Sequence, residues 1–259
     1  MLSIDRQNQI INLLKTSKSV MVSQLAEMFY VSEATIRRDL NRINKQGIIK
    51  RTYGGAILLE ALSHTLPLDI RERENSFEKN IIGKISADFV NDFDVIIIDS
   101  SSTALTMIKY LTGKHELTII TNGVKTASMI GQTLSCNFLC TGGASYDKTL
   151  SLVGNNAEMF MKRHNAKKLY FSCKSVSQNG YISNLTVEEA VLKRTMIEQS
   201  EEVYLLADHT KLGTTALSNI CTFQDIDYFI TDIKPSDNWI NIFDKYQVNV
   251  IYPDQIKNT

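Results

Sequence analysis

The stretch Met21-Val-Ser-Gln-Leu-Ala-Glu-Met-Phe-Tyr-Val-Ser-Glu-Ala-Thr-Ile-Arg-Arg-Asp-Leu40 decides how the first quarter of the chain folds. Val22, Leu25, Ala26 and Phe29 follow the i, i+3, i+4, i+7 spacing of a helix with one apolar face. Ser32 suits the N-cap of a second helix, because its hydroxyl can accept from a free backbone N–H of the first turn. In that second helix Ile36, Leu40 and Ile43 form the buried stripe, which leaves Thr35, Arg37, Arg38 and Asn41 on or beside the open face. Upstream, Ile10, Leu13 and Leu14 predict a helix from about Ile4 to Lys15 that closes a three-helix core. Downstream, Gly47 fits a left-handed helix stop, and Ile48-Ile-Lys-Arg-Thr-Tyr-Gly-Gly-Ala56 reads as a two-stranded hairpin, a wing. Two short helices joined by a tight turn, the second opening with paired arginines, suit a helix laid in the DNA major groove. The same elements also occur in modules that never touch DNA, where such arginines are only a solvated face.

Charge separates these alternatives. The chain holds 28 Lys+Arg against 28 Asp+Glu and is neutral overall. Residues 1–57 carry nine basic residues against four acids, a net +5, which leaves residues 58–259 at −5. A basic segment attracts phosphates and supplies much of the sequence-independent affinity for nucleic acid. Such asymmetry between segments is itself a nucleic-acid signal.

Arg6 with Ile10, Val31-Ser32, the string Thr35-Ile-Arg-Arg-Asp-Leu40, Gly47, Arg51 and Gly54-Gly-Ala56 together resemble the DeoR family of bacterial regulators. The resemblance covers the whole N-terminal domain, residues 1–57, with its motif at about 20–39. It implies a winged helix-turn-helix whose helix from about Glu33 enters the major groove of double-stranded operator DNA. Thr35, Arg37 and Arg38 are the best placed to read bases, since arginine can pair bidentately with guanine. Ser32 and the wing residues Lys50, Arg51 and Tyr53 are better suited to gripping phosphate. Asp39 is expected to pair with Arg42 or Arg38.

A chain of 259 residues suggests about two domains. No signal peptide is recognisable, and no apolar run reaches the ~20 residues that span a bilayer, so a cytoplasmic protein without membrane partners is expected. Cys136, Cys140, Cys173 and Cys221 are scattered, with no histidine close by, and are expected as buried thiols rather than a metal site. No cofactor is implied. Residues 58–75 hold Pro67 and the mixed-charge run Asp69-Ile-Arg-Glu-Arg-Glu74, a partly helical linker.

From Ser76 onward apolar strands alternate with helices. The strands are Val95–Ile98, Leu117–Thr121, Cys136–Cys140, Leu150–Val153, Lys168–Cys173, Val203–Ala207, Tyr228–Thr231 and Val248–Tyr252; the helices include Ala104–Leu111, Val124–Thr133, Ala157–Arg163, Val187–Gln199 and Asn238–Tyr246. The fold expected for residues 76–259 is α/β, a largely parallel sheet covered on both faces. Ligands in such sheets bind beyond the carboxyl ends of the strands. Asp99-Ser-Ser-Ser-Thr103 lies there, as do Thr121-Asn-Gly123, Thr141-Gly-Gly143 and Ala207-Asp-His-Thr-Lys-Leu-Gly213. One serine-rich turn before a helix can be a simple cap, but several polar strand ends in one sheet make a better anion cradle.

These strand ends, with Gly180, Glu189 and Lys193, resemble the DeoR sensor domain, itself similar to pentose-phosphate isomerases. The resemblance implies a phosphorylated-sugar effector. Ser100, Ser101, Ser102 and Thr103 would hold phosphate, Asn122 and Gly142 would line the sugar, and Lys211 would neutralise charge. Glu189 and Lys193 either touch the sugar or form an i,i+4 surface pair. The chain departs from the family at Ser101, where glycine is common, and at Cys173-Lys-Ser175, which replaces a more Gly/Asp-like stretch. The implied function is a repressor of sugar-metabolism genes, dimeric or tetrameric to match paired half-sites, with no catalytic residue. The alternative is an isomerase-like enzyme with an appended DNA-binding domain, Glu189 serving as base and Lys211 as stabiliser.

Overall fold

Three helices and a small sheet make up the first of two units, Met1–His64, in the computed structural model, which describes residues 3–17, 19–45, 49–58, 66–145 and 149–253. Helix α1 (Ser3–Ser17), strand β1 (Ser19–Met21), helices α2 (Val22–Met28) and α3 (Glu33–Lys45), and strands β2 (Ile49–Thr52) and β3 (Gly55–Leu58) follow in order. The expected stripe is observed: Ile36, Leu40 and Ile43 of α3 are fully buried against Ile10 and Leu14 of α1 and Val22 and Leu25 of α2. The wing hairpin pairs β2 with β3, Arg51 lying opposite Ala56. A third strand, β1, adds to β3 in antiparallel register; three residues are too few to show a period. Gly47 and the side chain of Lys50 lie outside the described residues.

The turn between α2 and α3 is closed by two backbone bonds, from Tyr30 to Glu27 O (3.2 Å) and from Val31 to Ala26 O (3.1 Å). This is a Schellman stop, with Tyr30 at the left-handed position (φ 52°) that glycine usually fills. Ser32 then caps α3, accepting from Thr35 N at 3.2 Å.

In the second unit, helices α4 (Leu68–Arg73) and α5 (Ser76–Asp88) lead into strand β4 (Val95–Ile98), helix α6 (Ser102–Leu105), strand β5 (Thr118–Thr121), helix α7 (Val124–Thr133) and strands β6 (Asn137–Cys140), β7 (Ala144–Ser145) and β8 (Leu152–Val153). Helix α8 (Asn155–Met161), strands β9 (Ala166–Ser172), β10 (Ser175–Val176) and β11 (Tyr181–Asn184), helix α9 (Val187–Glu198), strands β12 (Ser200–Leu206), β13 (Ser218–Thr222) and β14 (Tyr228–Ile230), helix α10 (Asp237–Lys245) and strand β15 (Asn249–Ile251) follow. Seven strands form one wholly parallel sheet in the order β15-β14-β12-β9-β4-β5-β6. Neighbouring residues of one strand enter opposite cores. Leu169 and Phe171 pack on one face with Ile97, while Tyr170 packs on the other with Ile96 and Ile98. That double burial is why these strands read as continuous apolar runs.

The structure corrects several expectations. The helix expected over Ala104–Leu111 stops at Leu105 and gives way to a short 3-10 turn, Ile108–Tyr110. Leu152–Val153 pairs with Ala144–Ser145 in a two-stranded ribbon outside the main sheet. Strands β10, β11 and β13 form a separate antiparallel sheet that alternation did not reveal. Cys140 is exposed in the edge strand β6 rather than buried, and only Cys173 of the four thiols is fully buried. Of residues 58–75, the part at 68–73 is helix α4, with Leu68 and Ile70 buried in the second unit.

Candidate operator interface and effector site

On α3, Arg37, Arg38 and Asn41 are exposed and Thr35 is half-buried, opposite the face that carries Ile36 and Leu40. Arg37 Nη2 reaches Glu33 Oε2 at 3.0 Å across one turn, and Ser32 Oγ lies 2.9 Å from Thr35 Oγ1. Arg51 of the wing donates to the Arg37 carbonyl at 3.5 Å, so α3 and the wing present their cations side by side. Tyr53 at the wing tip is fully exposed, and so is Tyr30 in the turn, an aromatic that the sequence reading did not single out.

Asp39 does not pair with Arg42 or Arg38. It is buried at 2% exposure and accepts from Arg6 Nε (2.7 Å), Gln7 Nε2 (3.0 Å) and Ser3 Oγ (2.9 Å), all on α1. Burial alone would raise its pKa, but the hydrogen bonds from Arg6, Gln7 and Ser3 and the Arg6 charge outweigh burial and hold the carboxyl below its ordinary value. Arg6 and Asp39, both in the sequence pattern, thus clamp α1 to the back of α3.

In the second unit, hydrogen bonds join the strand ends at Ser100 and Asn122, and those at Asp99, Ser172 and Lys211. Ser100 N donates to Asn122 Oδ1 at 3.0 Å, and Ser100 Oγ lies 2.8 Å from Ser151 Oγ. Asn122 Nδ2 donates onward to Ser151 Oγ (3.1 Å) and Leu152 O (3.1 Å). Ser151 belongs to this cluster although no motif marked it. A Cβ on Gly123 would come within 3.1 Å of Ser100 Cα and 2.4 Å of Thr126 Oγ1, so only glycine lets the two turns approach this closely. Gly142 follows the edge strand, exposed, with φ 68° and open space around it; its glycine serves conformation rather than contact.

Ser101 is used internally. Its hydroxyl donates to Asp99 Oδ1 at 2.5 Å and accepts from Ala104 N at 3.1 Å, capping α6. With four residues, α6 has too little length for a strong macrodipole. Ser102 and Thr103, both buried, remain beside it, Thr103 Oγ1 within 3.5 Å of Ser172 Oγ. The cations compensate. Lys193 Nζ reaches Ser172 O (2.6 Å) and Asp99 Oδ2 (3.1 Å), and Lys211 Nζ reaches Ser172 Oγ (2.8 Å). Glu189 accepts from Asn184 Nδ2 at 2.7 Å. Glu189 and Lys193 are both buried with separate partners, which removes the surface-pair alternative. Ser172, at the end of β9, is thereby shared by Asp99, Lys193 and Lys211, yet it too went unmarked in the sequence. Among the described residues no group of three or more His, Cys, Asp or Glu could hold a metal ion.

Two family models match the chain: the DeoR-like helix-turn-helix domain over residues 6–61 and the DeoR C terminal sensor domain over residues 74–233. The chain belongs to the DeoR family. An uncharacterised HTH-type transcriptional regulator of Bacillus subtilis, YulB, is 35% identical over 90% of each chain. The HTH-type transcriptional repressor GlcR of the same species is 30% identical over 97% of this chain and 96% of its own. Among solved structures, the ribose 5-phosphate isomerase A of Methanocaldococcus jannaschii is similar over 53% of this chain and 55% of that one, at 14% identity and a TM-score of 0.39. These two relatives, with GolR of Listeria innocua and AccR of Agrobacterium fabrum, are named as transcriptional regulators or repressors, not enzymes. This DeoR-family protein is therefore a DNA-binding transcription regulator, and the enzyme alternative is set aside. No helix among the described residues is long and apolar enough to cross a membrane.

Proposed function

We propose that this DeoR-family regulator is a cytoplasmic repressor of sugar-metabolism genes whose grip on operator DNA is modulated by a phosphorylated sugar. The observation that carries the effector half is the convergence at one sheet edge of Ser100, Ser102, Thr103, Asn122, Glu189, Lys193 and Lys211. Buried hydroxyls and amide groups beside two lysines suit a ligand that is anionic at one end and hydroxylated at the other. Ser101 serves the site indirectly, by fixing Asp99 and the start of α6. Gly142 stands further along the same edge, where a sugar chain can reach it. In the DNA-binding unit, Thr35, Arg37 and Arg38 read bases, while Ser32, Lys50, Arg51 and Tyr53 hold phosphates. Two copies or four present paired recognition helices to paired half-sites.

The test is operator binding by the full chain in the presence of a panel of pentose, hexose and triose phosphates. One or more should change the operator affinity severalfold, whereas the matching unphosphorylated sugars should not. An operator affinity indifferent to the whole panel removes the sugar-phosphate half of the proposal and leaves the DNA-binding half intact.

A further inference from the structure

The segment that follows the DNA-binding unit in sequence is laced to two of the strand-end loops and to the loop that carries Ser151. Arg71 of α4 donates through Nη2 to Thr149 O (3.3 Å), two residues before Ser151, which bonds both Ser100 and Asn122. Glu72 pairs with Lys125 at 2.5 Å, at the start of the helix after Asn122-Gly123. Asn75, held in a left-handed conformation between α4 and α5, donates to Asp208 Oδ1 (3.2 Å) and Thr210 Oγ1 (3.1 Å) in the loop that carries Lys211. Lys79 of α5, only 5% exposed, points its ammonium at the carbonyls of Arg71 and Glu74 (2.6 Å to Glu74 O), the C-terminal end of α4.

Burial works against the cations at this corner. Arg71 lies within electrostatic reach of Asp99 and Glu189 at the centre of the site, but burial still depresses its pKa. Lys79 faces Lys211 and Arg71 as like charges and Asp208 and Glu74 as opposite ones. Burial first, and the Lys211 charge second, push its pKa down to about 8. A buried lysine so placed gains from any anion that settles beside Lys211.

We infer that α4 and the corner after it are part of the effector site: Arg71 and Lys79 supply positive charge to the bound anion, and the anion in turn holds α4 against the strand ends. The inference rests on the sugar-phosphate reading of the site and adds to it two binding residues and a route for the signal. Occupancy and seating of α4 become one equilibrium, because a ligand shifts an equilibrium by its differential affinity for the two states. Since α4 is the first described element after the DNA-binding unit, its seating is where occupancy can be passed on.

Ribose 5-phosphate and inorganic phosphate serve as probes, with affinity read by calorimetry and α4 by hydrogen exchange of residues 68–75, on the full chain. Saturating probe should slow exchange in this segment by roughly tenfold or more. Arg71→Ala should weaken probe binding about tenfold or more, as expected for loss of a charge-assisted contact. Lys79→Met should abolish the slowing, whereas Lys79→Arg should keep it. Affinity should fall as pH rises through about 8, where Lys79 loses its charge, and Lys79→Arg should remove that step. Thermal melts of the Arg71→Ala and Lys79→Met proteins guard against mistaking misfolding for lost binding. Probe that binds without changing exchange of 68–75, or that binds Arg71→Ala and Lys79→Met as tightly as wild type, overturns this inference and spares the site. Failure of both probes and of the wider phosphosugar panel to bind overturns both.

Discussion

Arg37 and Arg38 sit on a face of α3 that the core leaves open, and their present partners hold them weakly. The Arg37–Glu33 pair is half-exposed on both sides, and a solvent-screened i,i+4 pair is worth no more than about 0.5 kcal/mol. Turning the guanidinium from Glu33 to a guanine edge therefore costs little. Replacing Arg37 or Arg38 with Ala should cost about 1–3 kcal/mol of operator binding and relax the base preference at one position. Arg51→Ala should instead weaken operator and scrambled duplexes alike and reduce the salt slope by about one. Titrations of both duplexes at several salt concentrations separate the two roles. Operator binding unchanged in both the Arg37 and Arg38 variants would take α3 out of the readout.

At the scale of elements, what was legible depended on how far apart in sequence the partners lie. The 3.6-residue stripe of α3 and the apolar runs of the parallel strands are local signals, and both appear in the structure. Asp39 was misread because its partners Ser3, Arg6 and Gln7 are more than thirty residues away, while Arg38 and Arg42 are neighbours. The sheet of β10, β11 and β13 escaped because its strands are two to five residues long, too short to show a period, and β11 meets β13 only some forty residues further on. At the strand ends, the rule pointed to Ser100, Asn122 and Lys211, which the structure ties to polar neighbours there. It did not mark Ser151, which bonds Ser100 from a loop outside the parallel sheet, nor Arg71 and Lys79, whose partners are backbone carbonyls of that loop and of α4. The Arg6–Asp39 clamp makes a direct prediction. Breaking one side of a buried ion pair strands the other charge, so Asp39→Asn should lower stability by about 3 kcal/mol. Because the folded pKa of Asp39 lies below its ordinary 3.8, that contribution is complete above about pH 4 and is lost as pH falls through the folded value. Thermal unfolding of both proteins between pH 2 and 7 should show curves that run parallel above pH 4 and converge in acid. A constant gap down to pH 2 would assign the effect to packing rather than charge.

For the whole molecule, neutrality conceals a division of labour: residues 1–57 carry +5 and the remainder −5. The acidic majority is repelled by DNA, so the basic unit must engage it, while Lys193 and Lys211 of the sensor domain are held by Ser172 and Asp99. Under the proposed function these two binding events belong to one thermodynamic cycle. If a phosphosugar weakens operator binding by a given factor, operator DNA must weaken phosphosugar binding by the same factor; if it strengthens one, it strengthens both. A tenfold effect corresponds to about 1.4 kcal/mol of coupling. Calorimetry of ribose 5-phosphate, or of whichever panel member acts, should be run on the free protein and on its operator complex. The ratio of the two affinities should equal the ratio of operator affinities measured with and without that ligand. Equal phosphosugar affinities, in the face of a changed operator affinity, would mean that the ligand acts on the DNA or on assembly state rather than through the sensor.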